Sequence, residues 1–108
     1  MPTQNSLELL AVANALADAA AAQSMRYFRT PLAVIDKEDQ SPVTLADRAA
    51  ETAMREILAA QCAQDGIFGE EHGRERLDAA HVWVLDPIDG TRAFITGSPL
   101  WGTLIAVL

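Results

Sequence analysis

The sequence predicts a layered α+β fold in which two helices are followed by the strands of a sheet. Apolar residues recur at helical spacing through the amino-terminal half, whereas short β-branched and aromatic runs follow Gly66. The chain has 108 residues, half of them hydrophobic, which is enough to bury the core of one domain or of a portion of one. No internal repeat or flexible linker divides it.

The first predicted helix runs from about Ser6 to Arg29. Asn5 is its expected cap, with Glu8 in the first turn, and Pro31 is expected to end it because proline cannot continue a helix. Its apolar positions predict a packed helix without chemistry of its own: Leu9, Val12, Leu16, Met25 and Phe28.

A polar stretch at 36–42 separates this helix from a second one, predicted from about Thr44 to Gln61. Its apolar face is assigned to Leu45, Ala49, Ala53 and Ile57. The opposite side carries Asp47, Arg48, Glu51 and Arg55, of which Glu51 and Arg55 have the spacing of an i,i+4 ion pair.

Three short strands are predicted after the helices, at 67–69, 81–85 and 104–108, with one helical turn at 91–95. Pro87 is expected to end the second strand because it has no N–H to donate. The last strand is expected to be buried. Because the chain stops within this apolar run, with no turn, cap or polar tail, we expect it to be truncated.

The charge of the chain limits its partners. Eight basic residues and fifteen acidic ones give a formal net charge of −7, which argues against nucleic-acid and anionic-membrane surfaces. Such a chain should repel a phosphorylated substrate unless a bound divalent cation inverts the local field. Cys62, the only cysteine, is interpreted as a small hydrophobe, and the lack of a disulfide predicts a cytoplasmic location. No apolar run is long enough to span a membrane.

The segment from Asp86 to Thr91 carries the clearest chemical signal. Asp86 and Asp89 follow a hydrophobic strand, and with the Ile88 carbonyl they can converge on one small volume. Such hard oxygen ligands suit Mg²⁺ or Mn²⁺. Gly90 allows close backbone approach, and Thr91 opens a helical turn whose amides can receive a phosphate. The alternative is that both acids are turn or cap residues; the spacing does not fit an EF-hand.

Two further acidic clusters support the interpretation of Asp86 and Asp89 as metal ligands. Glu70 and Glu71 also follow a short strand, although such a pair alone is commonly a solvated loop. Asp47 stands near the start of the second helix, where its alternative role is a capping-box acid for Thr44. Three acid-bearing clusters at strand ends and a helix start together predict a metal site in a layered fold.

With these motifs the chain resembles the inositol monophosphatase superfamily of Mg²⁺-dependent, lithium-sensitive phosphatases. The resemblance rests on Gly69-Glu70-Glu71, on Asp86-Pro87-Ile88-Asp89-Gly90-Thr91, and on Ser41-Pro42-Val43-Thr44 with Asp47 and Glu51. It implies a layered αβαβα sugar-phosphatase-like fold, of which this chain is the amino-terminal part. It also implies two or three Mg²⁺ ions, with Mn²⁺ as an alternative, and a homodimer.

The resemblance further implies a metal-binding role for four residues. Glu70, Asp86 and the Ile88 carbonyl would bind a first metal that activates the attacking water. Asp86 would bridge to a second metal, also bound by Asp89, that stabilises the leaving oxygen. In the family another Asp, from the carboxy-terminal half, completes the second metal site. The resemblance therefore implies that residues 1–108 are the amino-terminal portion of a single domain, in a protein more than twice as long.

The remaining implied roles concern water, phosphate and support. Thr91, hydrogen-bonded with Asp47, would position and deprotonate the water. The Gly90 and Thr91 amides would hold the phosphate, and Glu71 would support the site or a third, weaker metal. His72 and His81 are not expected to be ligands, because the metals prefer oxygen.

Two stretches, 37–48 and 91–104, look most like the histidinol-phosphate branch of the superfamily, with Arg92 as a candidate substrate contact or else a solvated charge. The implied substrate is a small phosphorylated metabolite, histidinol phosphate, hydrolysed in histidine biosynthesis. Inositol 1-phosphate or a broad range of sugar phosphates is the alternative. A non-catalytic, metal-binding fragment is the alternative from another class.

Overall fold

A computed structural model describes residues 6–29 and 42–108 of the chain. The predicted order of two helices followed by strands is confirmed. Asn5, Pro31 and the polar stretch at 36–41, which were assigned roles above, lie outside the described residues, as does the side chain of Thr44. In chain order the elements are α1 Ser6–Ser24, α2 Pro42–Gln61, β1 Gly66–Gly69, β2 Gly73–Glu75, β3 Val82–Asp89, α3 Thr91–Thr96 and β4 Gly102–Val107.

The four strands form one mixed sheet in the order β2-β1-β3-β4. β1 and β3 are parallel, whereas the pairs β1–β2 and β3–β4 are antiparallel. The two long helices pack against each other; α1 contacts β3 and β4, and α2 contacts β3. The described residues therefore form one helical layer on one face of a sheet, consistent with part of a layered αβ fold. None of the described helices is long and apolar enough to cross a membrane.

The main core lies between the helical layer and the inner face of the sheet. Trp83 is fully buried at its centre, and its indole N–H donates to the carboxylate of Asp65 at 2.9 Å, so its polar atom has a partner. Cys62 is buried in this core, as its interpretation as a small hydrophobe predicts. The other buried members are Val12, Leu16, Ala20, Ala50, Met54, Leu58, Ile67 and Leu85.

The first helix is shorter than predicted and ends at Ser24 rather than Arg29. The amides of Arg26 and Tyr27 donate to carbonyls three residues back, so the last turn tightens. Arg29 then adopts a left-handed conformation with φ of 59°. Met25, predicted to pack, is more than half exposed because it follows the end of the helix.

The buried face of α2 is shifted by one residue from the predicted one. Ala46, Ala50, Met54 and Leu58 form the buried column, while the predicted column of Leu45, Ala49, Ala53 and Ile57 is only partly buried. Both columns are apolar and have four-residue spacing, so periodicity could not separate them. Because of this shift, Asp47 and Glu51 are buried inside the protein, although they were predicted to lie on the solvent side of the helix.

The strands differ from the prediction in three respects. β3 continues through Pro87 to Asp89, because a bulge accommodates the proline. The short strand β2, which has only exposed residues, was not predicted. β4 was expected to be buried, but it is an edge strand among the described residues, with Leu104 about half exposed.

A second, smaller core lies behind the Asp86-to-Thr91 segment. The rings of Phe28, Phe94 and Trp101 have centroids 5.0 to 5.4 Å apart. They pack with the buried side chains of Ala46 and Ile88. This cluster ties α3 and the end of β3 to the start of α2.

Candidate functional site

Glu70 and Asp86 are placed at the same edge of the sheet by the parallel pairing of β1 and β3. Gly69 is in register with Leu85, so each acid is the next residue along its strand. The carboxyl ends of parallel strands are where ligands bind in open α/β sheets. Glu70 is exposed and Asp86 is partly exposed, so both can reach a ligand from solvent.

The bulge in β3 lies directly between Asp86 and Asp89. Asp86 pairs with Leu104 and Asp89 with Gly102, so two residues of β3, Pro87 and Ile88, oppose Thr103 alone. The Thr103 hydroxyl donates to the Pro87 carbonyl at 2.8 Å, so this carbonyl has a hydrogen-bond partner where the pairing of β3 with β4 is irregular. Bulges commonly occur beside active sites, where they redirect the chain.

Gly90 connects this bulge to α3. Its φ is +95°, a left-handed backbone conformation that residues other than glycine rarely adopt. A Cβ at this position would also lie 3.1 Å from the Leu100 carbonyl oxygen. The turn places Thr91 at the start of α3, where the first amides of a helix have no acceptor within the helix. The prediction of a helical turn here is confirmed.

Asp47 is buried on α2 and faces the other acids. Its exposed fraction is 8%, and its Oδ1 has no hydrogen-bond partner within the described part of the chain. Burial, followed by the negative charges of Glu71, Asp86, Glu70 and Glu51, raises the pKa of Asp47 to about 7. The predicted hydrogen bond with Thr91 is therefore not made through Oδ1. Because α2 begins at Pro42, the capping-box alternative for Asp47 with Thr44 is wrong.

The pKa of Asp86 is raised as well, first by burial and then by the charges of Glu70 and Asp89. These interactions place the acids in one electrostatic neighbourhood, which we call the carboxylate cluster: Asp47, Glu51, Glu70, Glu71, Asp86 and Asp89. Like charges so arranged are stabilised by a cation, and an all-oxygen donor set fits Mg²⁺ or Mn²⁺. Among the described residues, no group of three or more His, Cys, Asp or Glu side chains is arranged closely enough to hold a metal ion by itself.

Glu51 lies deepest in the cluster, although its position on the polar side of the predicted helix had indicated exposure to solvent. Its side chain is fully buried, and it forms the predicted i,i+4 ion pair with Arg55 at 2.9 Å. Its two carboxylate oxygens also accept the backbone N–H groups of Glu71 and His72. The four-residue spacing of Asp47 and Glu51 beside the Ala46 column, together with the place of Glu51 in the family resemblance, could have indicated this burial.

Glu71, predicted to support the site, is partly buried and lies 3.9 Å from the Arg48 guanidinium. The His72 ring lies 3.0 Å from the Thr52 hydroxyl and 3.3 Å from the Arg48 carbonyl oxygen. Arg92 is exposed on α3. These positions do not test the expected roles of Glu71 in supporting the site and of Arg92 in contacting the substrate, so both roles stay predictions.

A cavity of about 640 Å³ opens on the face of the sheet opposite the helices. Glu70 and Asp86 provide its acidic groups, and the rest of its wall is largely apolar. Its other lining residues are Phe68, Val84, Leu85, Thr103, Leu104, Ile105 and Ala106. A small molecule bound there would contact the carboxylate cluster.

The helices, the mixed sheet and the acids at its edge form part of a layered αβ fold. Residues 5–108 match the model of the inositol monophosphatase family, and the chain belongs to this family. The fold prediction is thereby confirmed.

Three relatives illustrate the similarity. The chain is 52% identical to the bifunctional phosphatase IMPL2 of Arabidopsis thaliana, over 91% of this chain and 29% of that protein. It is 44% identical to the histidinol-phosphatase of Chlorobaculum parvum, over 91% of this chain and 38% of the relative. The structure of an inositol monophosphatase from Zymomonas mobilis superimposes with a TM-score of 0.82 at 50% identity, covering 98% of this chain and 40% of that one. The chain thus spans less than half the length of each.

Proposed function

We propose that the protein carrying this chain hydrolyses a small phosphomonoester with the help of divalent cations. The observation that carries the proposal is the carboxylate cluster, which joins the ends of β1 and β3 to α2; burial first, and then the neighbouring negative charges, raise the pKa values of Asp47 and Asp86. Cations bound beside these acids would reduce their mutual repulsion and attract a phosphate group. The three relatives described above carry the names of phosphatases, which supports the same reaction class.

Glu70, Asp86, Asp89 and the Ile88 carbonyl would hold Mg²⁺ or Mn²⁺ in this proposal. Bound there, the cations would activate the attacking water and stabilise charge on the leaving oxygen. The Gly90 and Thr91 amides would bind the phosphate oxygens, since they lie at the start of α3.

Asp47 would take the proton of the attacking water, with Thr91 orienting that water. A general base must accept a proton more readily than an ordinary carboxylate does, and burial raises the pKa of Asp47 above its ordinary value. Its Oδ1 has no partner within the described residues, so it is available to a water molecule or to the Thr91 hydroxyl.

We propose histidinol phosphate as the substrate, on the similarity to a histidinol-phosphatase. The amino group of this substrate is cationic at neutral pH, and the net charge of −7 is compatible with its attraction to the protein. The similarity to an inositol monophosphatase favours inositol 1-phosphate as the second candidate. A homodimer, a cytoplasmic location and the absence of nucleic-acid partners stay predictions.

The test uses the intact protein and measures phosphate release from histidinol phosphate and from inositol 1-phosphate, each with Mg²⁺ and with a chelator. We expect turnover only with the metal, and a higher kcat/KM for histidinol phosphate. Equal or better turnover of the inositol ester would refute the histidinol assignment. Activity that persists in chelator, or in Asp89→Asn, would refute the metal-assisted mechanism.

A further inference from the structure

We propose that Glu51 is a positioning residue that sets the backbone of the turn bearing Glu70. This turn, residues 69–73, links β1 to β2 and is called the acidic turn below. The inference deepens the proposed function, on which it rests. In this inference Glu51, a buried residue of α2, is not a metal ligand itself. It holds the backbone that positions Glu70, the proposed metal ligand.

The contacts of Glu51 are with the backbone of the acidic turn. The N–H of Glu71 donates to Glu51 Oε1 at 2.9 Å, and the N–H of His72 donates to Oε2 at 3.0 Å. Charge-assisted hydrogen bonds of this kind are stronger than neutral ones, and two of them define the orientation of the turn. They fix the residues that immediately follow Glu70.

The residue that immediately precedes Glu70 is held by close packing. A Cβ added to Gly69 would overlap the Glu51 carboxylate, lying 2.8 Å from Oε1 and closer still to Oε2. Gly69 is paired with Leu85 in the parallel ladder and with Gly73 in the antiparallel one. The glycine of the Gly-Glu-Glu motif is therefore required by the approach of Glu51 rather than by an unusual φ.

Arg55 completes the arrangement from the side of β2. Its Nε donates to Glu51 Oε2 at 2.9 Å, its Nη2 donates to the Gly73 carbonyl, and its Nη1 lies 3.1 Å from the Glu75 carboxylate. The guanidinium thus balances the charge of the fully buried Glu51 and binds the far end of the acidic turn.

Glu70 depends on this support because its own side chain is exposed. Its carboxylate can be presented at a repeatable position only if the backbone on both sides is fixed. Residues that orient a metal ligand in this way typically change metal affinity by about 10- to 100-fold when mutated. The structure therefore assigns to Glu51 a role in metal affinity.

The experiment compares Glu51→Gln with Glu56→Gln in the intact protein. Glu56 is exposed on the same helix and provides the same chemical change away from the turn. Mg²⁺ binding is measured by calorimetry without substrate, and amide hydrogen exchange is followed in residues 69–73. For Glu51→Gln we expect Mg²⁺ affinity to fall about tenfold, with faster exchange in the turn and kcat restored at saturating Mg²⁺. Glu56→Gln should match the wild type.

A second pair of variants keeps the test decisive if Glu51→Gln folds poorly. Gly69→Ala should weaken Mg²⁺ binding, and Glu51→Asp should make room for the added methyl group. We therefore expect the double variant to bind Mg²⁺ better than the sum of the single effects predicts. Strictly additive effects, or unchanged Mg²⁺ affinity in Glu51→Gln, would overturn the proposal. A wild-type protein that binds Mg²⁺ but hydrolyses no phosphomonoester would refute the proposed function alone.

Discussion

Asp47 and Glu51 lie one turn apart on α2, and both are buried among other acids, yet their surroundings differ. Glu51 accepts two backbone N–H groups and an arginine N–H, so its charge is balanced inside the protein. Asp47 keeps a buried oxygen without a partner in the described structure, and its pKa is raised to about 7.

The difference separates two uses of a buried acid. A carboxylate with all its hydrogen bonds made stabilises a particular backbone arrangement. A carboxylate that lacks them is costly in the folded protein, and such a cost is a common feature of functional sites. The same helix therefore supplies a support for the acidic turn and a candidate general base for the reaction.

Replacing Asp47 should have the largest effect, on catalysis. In Asp47→Asn, which keeps the shape of the side chain but cannot accept a proton, we expect kcat to fall about a thousandfold. The measurement is steady-state phosphate release by the intact protein at saturating Mg²⁺. A loss of less than about threefold would mean that Asp47 is not the base.

Replacing Glu51 should have the next largest effect, on stability. We expect Glu51→Gln to lower the free energy of unfolding by about 3 kcal/mol, because the amide loses the charge that balances Arg55 and can accept fewer of the N–H groups of the turn. Urea unfolding in chelator checks this, with Glu56→Gln as the matched control. An equal loss in the two variants would contradict the special role of Glu51.

The smallest effect concerns pH. The pKa of Asp47 is higher in the folded protein, about 7, than its ordinary value of 3.8, so the folded state binds the proton more tightly. The contribution of this group to stability therefore falls as pH rises from about 4 to 7 and stays low above that range.

Asp47→Asn removes this contribution. In chelator we expect the variant to be more stable than the wild type by about 2 kcal/mol at pH 8, and the difference to vanish near pH 4. Unfolding curves of both proteins across this range provide the measurement. A difference that does not change with pH would show that the charge of Asp47 is not desolvated.

Much of the fold was predictable because local patterns encode it. Helical spacing and glycine-bounded apolar runs predicted the order of α1, α2, β1, β3, α3 and β4. The boundaries were less predictable, as the early end of α1 at Ser24 shows. β2 was missed because its exposed residues, Gly73 to Glu75, form a strand only by pairing with β1.

The sequence was least able to predict which face of α2 is buried. Two apolar columns lie side by side on this helix, and only contact with the sheet selects the one that contains Ala46. The selection carries Asp47 and Glu51 inward with it. The bulge at Pro87 is another such case, since it depends on how β4 pairs with β3.

By itself, the sequence determined which acids this protein offers and the order of the elements that carry them, because residue type and spacing are local properties. Only the tertiary structure decided how deeply each acid is buried and which hydrogen-bond partners it has. Packing of α2 against the sheet left Asp47 with an oxygen that has no partner in the described residues and surrounded Glu51 with donors. Burial and hydrogen bonding depend on groups that are distant along the chain, and they distinguish a candidate base from a support.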